Sequence, residues 1–134
     1  MIRNKTRGTV LCETFELAES PWGKARGLMF RKELAEGHGM LMRFPGGSNP
    51  GIWMFGMRFP IDIVFMDSRK EVVRVVENAR PLRLSWKTWR IYSPPVPAEY
   101  VLELPAGSVK KSRTLVGDSV ELESVGGLPG EVIV

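Results

Sequence analysis

The sequence predicts a mainly β fold: a compact single domain of β-sandwich or barrel-like type, with a short α-helix after the first strand. Three observations predict it. Short apolar runs rich in Val, Ile, Thr and aromatic residues recur along the chain, separated by Gly, Pro, Asn and Asp breakers at the spacing of sandwiches and barrels. One segment near residue 20 departs from that pattern and carries a helix-start signal. The length of 134 residues, 43% of them hydrophobic and 25% charged, supports one core without disulfides and leaves little room for a second domain.

The first run, residues 8–17, alternates loosely and contains Thr9, Val10, Thr14 and Phe15, which suits a strand. Ser20 then offers an N-cap with Pro21 at the first helical position, and Trp22, Ala25 and Met29 recur at i, i+3 and i+7. This predicts a short amphipathic helix. Gly23 and Gly27 each lower its propensity by about 1 kcal/mol relative to alanine, so packing must hold it. Further strands are expected over residues 39–44, 52–57, 61–66, 71–78, 89–92, 100–104 and 119–125, each bounded by turn residues such as Pro45-Gly46-Gly47, Asp67-Ser68 and Pro105-Ala106-Gly107. Residues 1–125 are therefore read as one β-rich domain and residues 126–134, which begin Gly126-Gly127-Leu128-Pro129-Gly130, as a mobile tail.

Composition excludes several classes of function. Cys12 is the sole cysteine and His38 the sole histidine, so neither an intramolecular disulfide nor a zinc site of Cys and His ligands can form. No Walker A, GxGxxG, GxSxG or HExxH motif occurs, and neither a cofactor nor a metal is implied. No window approaches the ~18 apolar residues of a membrane span and no apolar signal follows the charged N-terminus, which predicts a cytoplasmic protein without membrane contact. Glutamine is absent and only three asparagines occur, a scarcity of thermolabile amides that points to a hot habitat.

The net charge of +4 is unevenly placed. Residues 69–90 hold seven basic and two acidic side chains, a local +5, and the rest of the chain is nearly neutral. Within that stretch Arg83, Trp86, Lys87, Trp89 and Arg90 interleave cations with aromatics, as single-stranded nucleic-acid surfaces do. The same residues also suit a basic hairpin whose tryptophans cover the core. Five of the seven methionines, Met40, Met42, Met54, Met57 and Met66, fall in expected strands and are read as core filler.

Two carboxylates stand out. Alternation in Ile61-Asp62-Ile63-Val64-Phe65-Met66 puts Asp62 on the face of Val64 and Met66, so both faces of this strand are apolar apart from Asp62. Such a carboxylate needs a cation or donors, because an unpaired buried charge is costly. Arg58 is close in sequence, and Arg26 and Arg31 flank the end of the expected helix. Asp62 either ties a loop or helix to the sheet or serves a ligand. Glu103 shares a strand face with Val101, with solvent exposure as the default.

Four segments together resemble the family known as domain of unknown function 192. They are Ala25-Arg26-Gly27-Leu28-Met29-Phe30-Arg31, Gly39-Met40-Leu41-Met42-Arg43-Phe44, the run from Trp53-Met54 through Pro60-Ile61-Asp62 to Asp67, and Tyr100 through Glu103-Leu104-Pro105-Ala106-Gly107 with Gly117-Asp118. The resemblance implies a β-sandwich-like domain with a helix after the first strand, and no particular activity. It marks Arg26, Gly27, Leu28, Met29, Arg31, Trp53, Met54, Pro60, Asp62, Leu102, Glu103, Ala106 and Gly107. The chain departs from it at Phe55-Gly56-Met57, where relatives often carry polar residues.

Three functions remain open. The first is a binding domain for a small polar or anionic ligand, with Arg26, Arg31, Trp53, Met54, Arg58, Asp62 and Glu103 converging on the site. The second is an enzyme using Asp62 and Glu103 as acid and base on a carbohydrate, peptide or phosphate-containing substrate, which requires the two carboxylates to face one pocket. The third is a nucleic-acid accessory protein acting through Arg83, Trp86, Lys87, Trp89 and Arg90.

Overall fold

A computed structural model describes residues 1–18, 32–54, 57–81, 91–123 and 131–133, with Trp53 and 131–133 described by backbone alone. Strand order follows the apolar runs. The strands are β1 (Ile2–Asn4), β2 (Thr9–Cys12), β3 (Thr14–Ala18), β4 (His38–Ser48), β5 (Ile52–Trp53), β6 (Ile61–Met66), β7 (Val72–Ala79), β8 (Ile91–Tyr92), β9 (Ala98–Pro105), β10 (Val120–Leu122) and β11 (Glu131–Ile133). One short helix, α1 (Ser108–Ser112), follows β9.

Six strands form a mixed sheet in the order β11-β3-β4-β9-β6-β7, and three form an antiparallel sheet in the order β10-β1-β2. The six-stranded sheet ends on different strands, so it is open and no barrel closes among the described residues. A two-stranded ribbon, β5 with β8, completes the pairing. The core lies on both faces of the large sheet. On one face Val64, Met66, Leu102 and Leu104 pack with Ile2, Leu11 and Cys12 of the small sheet and with Val109 of α1. On the other face Ile61, Ile63, Phe65 and Val101 pack with Met40, Met42 and Met54. Every residue of β6 is buried, which is why its sequence reads as a nearly continuous apolar run rather than a half-polar alternation.

The expected strands over residues 61–66 and 100–104 coincide with β6 and β9, and the expected 8–17 strand is two strands, β2 and β3, broken at Glu13. The helix expected near Pro21 lies outside the described residues. The described helix follows Pro105-Ala106-Gly107 instead, and at five residues it is too short to leave a periodic signature. Residues 131–133 of the segment expected to be a tail form β11, a parallel neighbour of β3. No helix among the described residues is long and apolar enough to cross a membrane.

Candidate functional site

Asp62 is fully buried in the middle of the large sheet. Its Oδ2 accepts the backbone N–H groups of Gly107 at 3.1 Å and Val109 at 2.9 Å, and its Oδ1 accepts the N–H of Asn78 at 2.8 Å. Among the described residues its hydrogen-bond partners are these three backbone amides, and none of the described arginines pairs with it. The amides compensate the buried charge, as a carboxylate accepting two or three N–H bonds does. Each donor is an irregularity of the backbone. Asn78, at φ 54°, sits where the β6–β7 register slips between Ile61 and Ile63, a bulge whose amide has lost its ladder partner. Gly107 turns the chain from β9 into α1 with φ 95°, a left-handed conformation that favours glycine, and Val109 lies in the first turn of the helix. Asp62 thus bolts the bulge of β7 and the start of α1 to the centre of the sheet.

The loop that Asp62 holds forms a wall of a cleft of about 850 Å³, lined by residues including Leu11, Cys12, Glu13, Glu36, Ala106, Gly107, Ser108 and Lys111. The Lys111 ammonium on α1 and the Glu36 carboxylate before β4 pair across it, both largely exposed. That contact raises the Lys111 pKa and lowers that of Glu36, chiefly by hydrogen bonding. Cys12 lines the cleft but is only 1% exposed, and burial pushes its thiol up to about 12. It is a packed thiol, not a nucleophile.

Next to α1 lies a second buried polar knot. The Asp118 Oδ2 accepts Asn4 Nδ2 at 2.9 Å, Arg7 Nε at 3.0 Å and the Leu115 amide at 2.9 Å. Burial raises the Asp118 pKa, but the bonds from Arg7, Asn4 and Leu115 outweigh it, leaving the carboxyl below its ordinary value. Asn4, fully buried, also donates to Thr114 Oγ1 and accepts the Arg7 amide, so its side chain is bonded through both the oxygen and the nitrogen.

Of the seven residues expected to converge, Trp53, Met54, Arg58, Asp62 and Glu103 are among the described residues. Arg26 and Arg31 lie outside the described residues, as do Arg83, Trp86, Lys87, Trp89 and Arg90. Trp53 is placed by its backbone in β5, Met54 is buried in the core, and Arg58 is exposed. Glu103 is buried, not exposed, because β9 is an interior strand with both faces covered. Asp62 stands opposite Leu104, and Glu103 stands opposite Ile63. Directly opposed residues share a face, so the two carboxylates project from opposite faces of the sheet. They cannot flank one substrate, which removes the acid and base arrangement. The contributions of Cys12, Glu36 and Lys111 to the cleft, and of Asn4 to the buried knot, carry no local signal, because each is distant in sequence from its partners; Gly107 is legible as a turn residue and Asp118 through the family resemblance.

Comparison with known proteins agrees with the architecture. Crystal structures of a Sinorhizobium meliloti protein described as a candidate transcription regulator and of a Novosphingobium aromaticivorans protein of unknown function both superpose with a TM-score of 0.72. They are 36% and 30% identical, cover 80% of this chain in each case, and are themselves covered over 79% and 73%. A UPF0127 protein of Thermococcus sibiricus is 32% identical over 92% of this chain and 75% of its own length, and one of Pyrococcus abyssi is 38% identical over 79% and 83%. These relatives come from thermophilic archaea, in keeping with the amide-poor composition. The model of the family described as an uncharacterised ACR, DUF192, matches residues 2–122, and the chain belongs to that family.

Proposed function

We propose that the protein is a cytoplasmic, non-catalytic domain that binds a small polar ligand in the cleft beside Ala106, Gly107 and Ser108. The observation that supports this is the cleft itself, whose wall is a loop clamped from below by the buried Asp62. Its volume of about 850 Å³ suits a small-molecule site, and its lining mixes apolar Leu11 and Pro105 with a few polar groups. Glu13 and Glu36 against Lys111 favour a ligand with a positive or hydrogen-bond-donating group over an anionic one. Asp62 acts in this scheme as a positioning residue, removing the entropy of ordering the loop on binding.

Titration of isotopically labelled protein with a panel of primary amines, amino acids and sugars tests this. A ligand is expected to shift the amides of Glu13, Gly37, Gly107 and Lys111, and Ala106→Trp, which fills the cleft from an exposed position, is expected to abolish the shifts with the fold retained. Binding that leaves those amides unmoved, or that survives Ala106→Trp, rejects the cleft.

A second reading, nucleic-acid binding through the basic stretch, draws on the description of the Sinorhizobium protein and on the local +5 of residues 69–90. Single-stranded oligonucleotide binding that weakens with salt and is lost in Arg83→Ala and Arg90→Ala would support it.

A further inference from the structure

Two sets of cations among the described residues differ in their surroundings. Arg3, Arg7, Arg43 and Lys111 each have a carboxylate within 4.0 Å. Lys5, Arg69 and Lys70 take part in none of the ion pairs among the described residues, yet all three line one concavity of about 490 Å³ with Tyr100 and Ser119. Glu121 is the single carboxylate on its wall, so the described lining carries two excess positive charges. Residues 5 and 69–70 are far apart in the chain. Only tertiary structure gathers them.

The backbone that presents these cations is rigid. The Lys5 amide donates to the Ser119 carbonyl at 2.8 Å, and the Val120 amide donates to the Lys70 carbonyl at 2.9 Å, so one dipeptide spaces both sides of the concavity. The Ser119 amide donates to Thr6 Oγ1 at 2.8 Å. Arg69 and Lys70 ride on a turn whose Asp67 Oδ1 accepts the amides of Arg69 at 2.9 Å and Glu71 at 3.0 Å. Lys70 adopts φ 61°, a left-handed conformation that a β-carbon disfavours. That conformation carries its ammonium over the Tyr100 ring, 5.3 Å from the centroid, with the Arg43 guanidinium at 5.9 Å. Like charges gathered around one concavity repel, and a bound anion relieves that repulsion.

We infer that Lys5, Arg69 and Lys70, spaced by Ser119 and Val120 and braced on Tyr100, form a binding site for a small oxyanion of the phosphate class carrying more than one negative charge. Three separate cations around a concavity of this size match a group with several charged oxygens, where a single carboxylate would reach only one or two of them. The site is distinct from the cleft beside Gly107, with which it shares no lining residue.

Inorganic pyrophosphate is the probe, titrated into the full chain by calorimetry at about 50 mM salt, where screening is modest. Saturable binding is expected, tighter than that of phosphate and much tighter than that of acetate. Lys5→Ala and Arg69→Ala, both at exposed positions, are each expected to weaken it on the order of tenfold, the loss of one charge-assisted contact. Arg80→Ala, which removes an exposed cation of the same basic stretch outside the concavity, should leave it unchanged, and circular dichroism verifies folding of all three variants. Absence of saturable pyrophosphate binding overturns the assignment. So does equal weakening by Arg80→Ala, which would mark a diffuse basic surface. A single-stranded oligonucleotide whose binding is lost in Lys5→Ala and Arg69→Ala and is not displaced by pyrophosphate overturns it as well, in favour of nucleic acid as occupant.

Discussion

Asp62 and Glu103 occupy neighbouring strands one residue out of register, so that one carboxylate enters the core beneath α1 and the other the core on the opposite face of the sheet. The pairing that makes them look like a catalytic dyad in sequence is what separates them in space. Among the described residues Asp62 is met by three backbone amides, and its role follows from those amides: it fixes the loop that walls the cleft.

Asp62→Ala should lower stability by about 2–5 kcal/mol, because it strands three amide donors at once, that of Val109 buried and those of Asn78 and Gly107 partly so. Asp62→Asn should cost less, since one carbonyl oxygen still accepts, while its amide group meets donors where an acceptor stood. Urea unfolding measures both. A midpoint for Asp62→Ala equal to that of the parent would contradict the clamp.

Asp118 predicts an acid-side dependence of stability. Its folded pKa lies below the ordinary value of 3.8, so the unfolded chain binds the proton more tightly and the native state is favoured above that value. The contribution is complete above about pH 4–5 and is lost as pH falls through the folded pKa. Asp118→Asn should reduce the loss of melting temperature on acidification, as read from thermal melts between about pH 6 and pH 2.5. An unchanged acid slope would place that dependence on other carboxylates.

Cys12 predicts the opposite, alkaline dependence. Its folded thiol is raised from 9.0 to about 12, chiefly by burial, so the unfolded chain loses the proton first. Stability is whole below pH 9 and falls as pH rises toward 12. Cys12→Ala should flatten that decline in melts taken between about pH 8 and pH 11, and the native thiol should react with a disulfide reagent far more slowly than in urea. Rapid labelling of the native protein would show that the thiol is open to the cleft.

Gly39 is a packing constraint rather than a turn. A β-carbon there would lie 3.1 Å from Cys12 Sγ, 3.2 Å from Leu102 Cδ1 and 3.2 Å from Leu104 Cδ2, all in the buried core. Gly39→Ala should destabilise by about 1–3 kcal/mol. Cys12→Ala should recover part of that loss, since it removes the nearest clashing atom. Strict additivity in the double-mutant cycle would mean the two sites do not touch.

Local pattern determined much of this protein. The six residues Ile61–Met66 define β6 and both of its faces, because side-chain alternation in a strand is a property of the backbone and needs no partner. The same holds for β9, where Leu102 and Leu104 divide from Val101 and Glu103. The core role of Met40, Met42, Met54 and Met66 is equally legible, since apolar residues in buried strands have one place to go. β1 was not legible: Ile2-Arg3-Asn4 carries one apolar residue, and its strand conformation comes from being paired on both sides, with β2 and β10. The helix α1 was hidden for a related reason, as its start is held by a carboxylate 45 residues or more away in the chain. What only the tertiary structure decided was partnership. Alternation shows that Asp62 is buried, but which donors meet it depends on the register of β6 against β7 and β9 and on the turn that follows β9. Likewise the charge of Lys5, Arg69 and Lys70 is plain in sequence, but their convergence depends on two backbone hydrogen bonds to Ser119 and Val120. Strand faces are set by local backbone geometry, whereas long-range contacts follow from loop closure and sheet register, which the local pattern does not encode.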